Sequence, residues 1–307
     1  MKLSPYARII ASLALSAGLL VFLVWRISPK ALAHAAADVD WKLLAPATVA
    51  LVFALYLWDA VCLPTVYQID DRRVSYWRSL YLRGLSYLGG AINYELGQAA
   101  LAWGMAREQN TSMVSMLSRT IVLAYYDFVV LLGLGFAGSL LSDDPRIERI
   151  RLVVAAAFSI ALAIALAVWF LPDALRKKLS GTKLGEALTG WSLSRSLRLI
   201  PLRCVYFSIF AVYAAVALES CHVPVDHMVV ASTIPLVLLA DTIPTISGLG
   251  TRDTALQLLL RPDNPEALLA MSLIWSTGLI IGRSLIGLAF LWGNPFLGGP
   301  SDKRGAP

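Results

Sequence analysis

The chain has 307 residues, 58% of them hydrophobic and only 15% charged, with a formal net charge of +6. Soluble domains carry about a quarter charged residues. This deficit, with a mean hydropathy of +0.68, excludes an ordinary soluble domain and points to a polytopic membrane protein. In such a protein the basic excess reports which loops face the cytoplasm, not a nucleic-acid partner.

Residues 1–25 bring Lys2 and Arg8 and then an apolar run over 9–25. Its length is near the roughly 20 residues that cross a bilayer. That favours an uncleaved first helix over a signal peptide, although Ala31 and Ala33 have the small-x-small spacing of a cleavage site. A second span is expected over 43–67, with Pro46 near its start and Pro64 near its end. Arg72, Arg73 and Arg78 then mark a cytoplasmic loop. Residues 80–106 carry Gly84, Gly89, Gly90, Asn93, Glu95, Gly97 and Gln98. Those are too many polar and helix-weakening positions for one lipid-facing helix. Two half-helices meeting near 89–97 are predicted instead.

Residues 113–141 read as a long helix holding Arg119 and Asp127, which are eight apart. The two share a helix face but cannot bridge one another. The uncharged stretch 152–171 reads as a lipid-facing or bracing span. Residues 172–203 set Arg176, Lys177, Lys178, Lys183, Arg195, Arg198 and Arg203 against Asp173 and Glu186. This is the strongest cytoplasmic marker, and part of it suits an amphipathic helix on anionic lipid. A span over 201–219 follows, then an apolar stretch over 228–246 carrying Pro235, Asp241 and Pro244. A helix over 251–260 is too short to span alone, and 266–292 is a full span with Arg283 inside. The Gly- and Pro-rich tail 293–307 is expected to be disordered.

Charge bias joins these pieces. If 80–106 and 227–260 each dip in and return, six full spans remain: 8–25, 43–67, 113–141, 152–171, 201–219 and 266–292. The basic loops at 68–79 and 172–200 and both termini then share the cytoplasmic side. The two broken segments enter from opposite faces, the arrangement of inverted-repeat transporters. The expected fold is therefore all-α: one integral membrane domain over 1–292, with about six spans and two re-entrant segments.

Around residues 247–253, Gly248 and Gly250 permit positive φ, and Thr251 can cap a helix running to Leu260. Arg252 adds a full charge to the free N–H groups there, which makes a seat for a phosphate. Asp253 can stabilise the helix dipole, pair with an Arg or meet a cationic headgroup. An ordinary helix start at the membrane edge is the plainer alternative. Asn93, Glu95 and Gln98 form the counterpart in the first broken segment, where the alternative is a solvated polar face. Arg119, Asp127 and Arg283 are expected to face the bundle interior, either packing helices together or lining a route. Asp59 and Asp241 are similar but less specific. His222 and His227 lack the i, i+4 spacing of a helical metal pair. Neither Asp70 and Asp71 nor Asp143 and Asp144 bring the further acids of a magnesium–phosphate site. Cys62, Cys204 and Cys221 give neither a disulfide framework nor a zinc motif. No serine-hydrolase elbow, P-loop or zinc-protease motif appears, so neither a cofactor nor an enzymatic reaction is expected.

The arrangement resembles the transmembrane region of bacterial lysyl-phosphatidylglycerol synthetases and their stand-alone relatives. Pro244, Gly248, Gly250, Arg252 and Asp253 match that family's Pro-x-x-x-Gly-x-Gly-x-Arg-Glu element, with Asp in the place of Glu. Arg119 matches the Arg inside the helix that follows the family's early element. That early element is kept only in part: Asn93 and Gly97 are present, Gln98 replaces a Glu, and the proline is absent. Glu95 stands two or three positions away as a substitute. The resemblance covers about residues 8–292. It implies a broken-helix domain in a bacterial cytoplasmic membrane which, in bifunctional members, flips an aminoacylated phospholipid. The soluble aminoacyl-transferase domain of those members has no counterpart in the sequence, so lysyl-lipid synthesis is not expected. Stand-alone members are similar to proteins linked with other lipids, including hopanoids and polyprenyl-linked glycans, so the resemblance names no cargo. The resulting expectation is a lipid translocase, or an accessory to one, with Arg252 and the 248–252 backbone on a lipid phosphate. Its partners would be a phosphate-bearing membrane lipid and a lipid-modifying enzyme. A membrane-embedded transferase acting on a polyprenyl phosphate and a structural subunit are the alternatives.

Overall fold

The computed structural model describes residues 29–69, 74–92, 94–142, 145–170, 172, 181, 191–240, 250–260 and 264–292. Ten helices and no strand occur among them: α1 (Pro29–Ala37), α2 (Trp41–Tyr67), α3 (Tyr76–Ile92), α4 (Tyr94–Glu108), α5 (Met113–Leu141), α6 (Pro145–Trp169), α7 (Leu193–Ser220), α8 (His227–Ala240), α9 (Thr251–Leu260) and α10 (Pro265–Trp292). Short polar side chains begin several of them. Asp40 accepts from Lys42 N, Ser112 from Ser115 N and Ser192 from Arg195 N. Each such cap satisfies an orphan N–H and stabilises its helix by about 0.5–2 kcal/mol.

Five helices, α2, α5, α6, α7 and α10, are long and apolar enough to cross a bilayer, so the chain is a multi-pass integral membrane protein. They coincide with the expected spans 43–67, 113–141, 152–171, 201–219 and 266–292. The sixth, 8–25, lies outside the described residues, as does the tail 293–307. One boundary differs substantially. With Ser192 as its cap, α7 begins at Leu193 rather than near Pro201, and Pro201 sits inside it. Arg195, Arg198 and Arg203 are therefore helical, and Arg203 is 4% exposed. A residue taken as a loop marker belongs to the core.

The unusual stretch 80–106 is two helices, as predicted, and they fold back on each other. A Cβ on Gly97 would lie 2.8 Å from Gly90 Cα, one on Gly104 would meet Leu82, and Arg78 pairs with Glu108 at 2.7 Å. Positions thus match in reverse order from the turn outward, which defines an antiparallel hairpin. The glycines let the two backbones approach where any side chain would separate them. In the second half, α8 and α9 also pack on each other; residues 241–249 between them lie outside the described set.

At the centre α2 packs along α7. Around that pair α3 packs on α10 and α8 on α5, while α4 lies against α5 and α9 against α10. Both crossings are close. A Cβ on Gly138 of α5 would meet the backbone of Ser232 at 2.5 Å, and one on Gly287 of α10 would meet Leu88. In lipid such intimate packing, rather than exclusion of water, holds helices together. Helix α6 sits outside on α5 and is largely exposed, in keeping with its uncharged, apolar composition.

Candidate functional site

Asp59 lies midway along α2 in an otherwise apolar helix and is 2% exposed. A buried carboxylate without partners would cost several kcal/mol, and two neighbouring helices supply them. Arg203 of α7 donates from Nη1 to Asp59 Oδ1 at 3.1 Å. Its Nε and Nη2 grip Asp127 of α5 in a two-pronged pair at 2.5 and 2.8 Å. Arg83 of α3 brings Nε to 2.5 Å from Asp59 Oδ2. Arg203 also stacks on Tyr206, with its guanidinium carbon 3.9 Å from the ring centroid. Four helices, α2, α3, α5 and α7, are therefore tied at one buried point. The two-pronged geometry is one that Arg, and not Lys, can make.

Beside this knot is a cavity of ≈ 70 Å³, large enough for several waters or part of a polar headgroup. Asp59, Arg83, Asp127 and Arg203 line it, with Ser86, Tyr87, Gly90, Gly97 and Gln98 of the hairpin and Arg283 of α10. Among the described residues its lining carries three arginines against two aspartates, a formal +1. Arg203 is held by both carboxylates and Arg83 by one. Arg283 has no carboxylate partner among the described residues and rests over Tyr87, 5.6 Å from the ring centroid. Gln98 Oε1 is buried with no hydrogen-bond partner among the described residues. Gly90 and Gly97 leave the hairpin wall bare of side chains at this point.

The expected site residues divide into three groups. Asp127, Gln98 and Arg283 meet at the cavity. Arg119 is elsewhere: it donates to Val66 O and Gln68 O at 3.4 and 3.2 Å and so closes the C-terminal end of α2. Glu95, in the first turn of α4, is exposed and does not line the cavity. Asn93 and Gly248 lie outside the described residues.

The start of α9 forms the third group. Gly250 has φ 87° and precedes the helix, so Thr251 is its first residue rather than its cap. Asp253 reaches back to accept from Gly250 N at 2.8 Å, the reciprocal half of a capping box. Its other oxygen accepts from Ser272 Oγ of α10. Arg252 is 1% exposed, donates to Ser276 Oγ and lies 4.7 Å from the Trp275 ring centroid. Both side chains thus fasten α9 to α10.

Sequence reasoning missed Arg83 and Arg203. The signal was present: Asp59 and Asp127 deep in apolar spans each demand a cation. Arg203 was hidden among the basic residues of 172–203, and Arg83 among the glycines of the first broken segment.

Residues 9–287 match the family described as the lysylphosphatidylglycerol synthase TM region. No curated protein and no solved structure matches the chain.

Proposed function

The chain belongs to the lysylphosphatidylglycerol synthase transmembrane-region family, and from that premise we propose that it is a lipid translocase whose central cavity receives a lipid phosphate. The carrying observation is the excess of guanidinium over carboxylate around the cavity, with Arg283 as the cation left to a ligand. An anion there would neutralise the lining, and a buried guanidinium recognises phosphate through charge-assisted hydrogen bonds. The network of Asp59, Arg83, Asp127 and Arg203 holds the four helices that frame the site and fixes the surrounding charge.

Two architectural facts support translocation over static binding. Each half of the chain gives a long helix, a broken pair and another long helix: α2, α3–α4, α5 and then α7, α8–α9, α10. Exchanging the halves preserves the packing, since α2 meets α7, α3 meets α10 and α8 meets α5. That is the contact pattern of an internal repeat, and with an odd number of crossings between the halves the repeat is inverted. In this reading the two broken pairs are re-entrant from opposite faces of a bacterial cytoplasmic membrane, both termini are cytoplasmic, and rocking of one half against the other exposes the cavity alternately. No covalent step is assigned to the chain. Its cargo would come from a lipid-modifying enzyme working in the same membrane.

The start of α9 is the competing seat for the phosphate. The burial of Arg252 and Asp253 and their bonds to α10 favour a bracing role there.

The test is reconstitution into vesicles carrying a headgroup-labelled anionic phospholipid, with external quenching after protein insertion. The reading expects protein-dependent quenching of the inner-leaflet fraction. Quenching no faster than in protein-free vesicles, across phospholipid headgroups, would contradict it.

A further inference from the structure

Among the described residues, every carboxylate oxygen that lines the polar cavity is already engaged. Asp59 Oδ1 accepts from Arg203 Nη1 at 3.1 Å, and its Oδ2 lies 2.5 Å from Arg83 Nε. Asp127 gives both oxygens to Arg203, at 2.5 and 2.8 Å. Arg283 lines the same space with no carboxylate partner among those residues. Beside it Gln98 brings a neutral amide whose buried Oε1 has no hydrogen-bond partner among them. We propose that the cavity selects anionic phospholipids whose headgroups carry hydroxyls and no ammonium group, with Gln98 as the residue that sets this preference. Such selection presupposes the translocase reading and gives its cargo a chemical class.

Charge acts first. The described lining has a formal +1, which the single charge of one phosphodiester brings to zero. An ethanolamine or aminoacyl headgroup adds an ammonium ion to that balanced site. A buried ion needs a counter-ion, and here each carboxylate is held by a guanidinium that ties helices together. To reach Asp127 the ammonium must displace Arg203 of α7 from α5, and to reach Asp59 it must displace Arg203 or Arg83 from α2. Hydrogen bonding acts next. The Gln98 amide has one acceptor atom and an NH2 donor. A hydroxyl both donates and accepts, so it satisfies that amide in either orientation. The wall alongside leaves room, since Gly90 and Gly97 line the cavity without side chains. Gln98→Glu is nearly isosteric, yet it would bring the described lining to a formal zero without any ligand. That lining suits a zwitterion and no longer attracts an anion.

The experiment reconstitutes the full chain in phosphatidylcholine vesicles with a trace of phosphatidylglycerol or phosphatidylethanolamine. Each carries its fluorophore on an acyl chain, so the headgroup stays intact, and external quenching gives the rate. Phosphatidylglycerol should move about ten-fold faster or more, because an unmatched charge in a buried site is strongly disfavoured. Gln98→Glu should reverse the order, slowing phosphatidylglycerol and speeding phosphatidylethanolamine. Gln98→Leu, which removes the amide and keeps the charge balance, should slow phosphatidylglycerol and still exclude phosphatidylethanolamine. Calorimetry on the wild type in detergent should show glycerophosphoglycerol binding about ten-fold more tightly than glycerophosphoethanolamine. The wild-type comparisons hold whether or not Gln98→Glu folds. Equal rates for the two lipids, both above protein-free vesicles, would overturn the selection and leave the translocase reading. A wild-type order kept by a folded Gln98→Glu would overturn the role of Gln98. Binding in the expected order by a protein that moves neither lipid would remove the translocase reading and leave the selective site. Equal binding, or none, without movement would remove both.

Discussion

Arg203 carries the largest structural load of any single side chain near the site. It neutralises Asp127 and shares Asp59 with Arg83, all inside apolar helices. Arg203→Met keeps most of the volume but leaves two carboxylates facing each other. Breaking a buried pair costs about 3–5 kcal/mol, so the variant should unfold well below the wild type in a detergent melt. Adding Asp59→Asn and Asp127→Asn should restore much of the loss, because the repulsion disappears. Among the partners within the described residues, Arg252 is tied to Ser276 and Trp275 of α10. Arg252→Gln should lower the melting temperature by a smaller margin, read in the same experiment. The contrast shows what a sequence conceals at this scale. Asp127, Gln98 and Arg283 were legible as interior polar positions because charge or amide in an apolar helix is conspicuous. Arg203 was not, since one arginine at the end of a basic run looks like its neighbours until the helix is seen to begin at Leu193, ten residues before it.

At the scale of elements, the hairpin of α3 and α4 is the part that glycine makes possible. A side chain at Gly97 would meet the backbone of Gly90 at 2.8 Å and Ser86 O at 3.0 Å, neither of which can move independently of its helix. Gly97→Val should therefore part the hairpin, costing about 1–3 kcal/mol or more from overpacking, and should disrupt the cavity wall. Gly104→Ala meets only the end of the Leu82 side chain, which can rotate, and should be nearly silent in the melt. Helix existence and most boundaries were legible, because apolar length and the break at 89–97 are local properties. The pairing of α3 with α10 and of α8 with α5 was not. It depends on contacts between segments far apart in the chain, for which glycine positions alone give no partner.

The whole molecule is organised as two halves around the α2–α7 pair, with the cavity to one side, against the first hairpin and α10. An inverted arrangement puts the open ends of the two broken pairs on opposite faces. Single cysteines at Arg107 and Asp226, both exposed, in a background with Cys62, Cys204 and Cys221 replaced, should react with an impermeant maleimide from the cytoplasmic and the external side respectively. Labelling of both from one side would contradict the inverted repeat, and with it alternating access.

The central claim is that the cavity cation Arg283 meets the lipid phosphate. The direct measurement is the rate of phospholipid translocation in vesicles, normalised to folded protein, for Arg283→Gln and Arg283→Lys beside Arg252→Gln. Loss of one charge-assisted contact worth about 1.5–3 kcal/mol predicts a fall of ten-fold or more for Arg283→Gln, partial retention for Arg283→Lys, and a rate near wild type for Arg252→Gln. Wild-type translocation by Arg283→Gln, or its loss only in Arg252→Gln, would contradict the account.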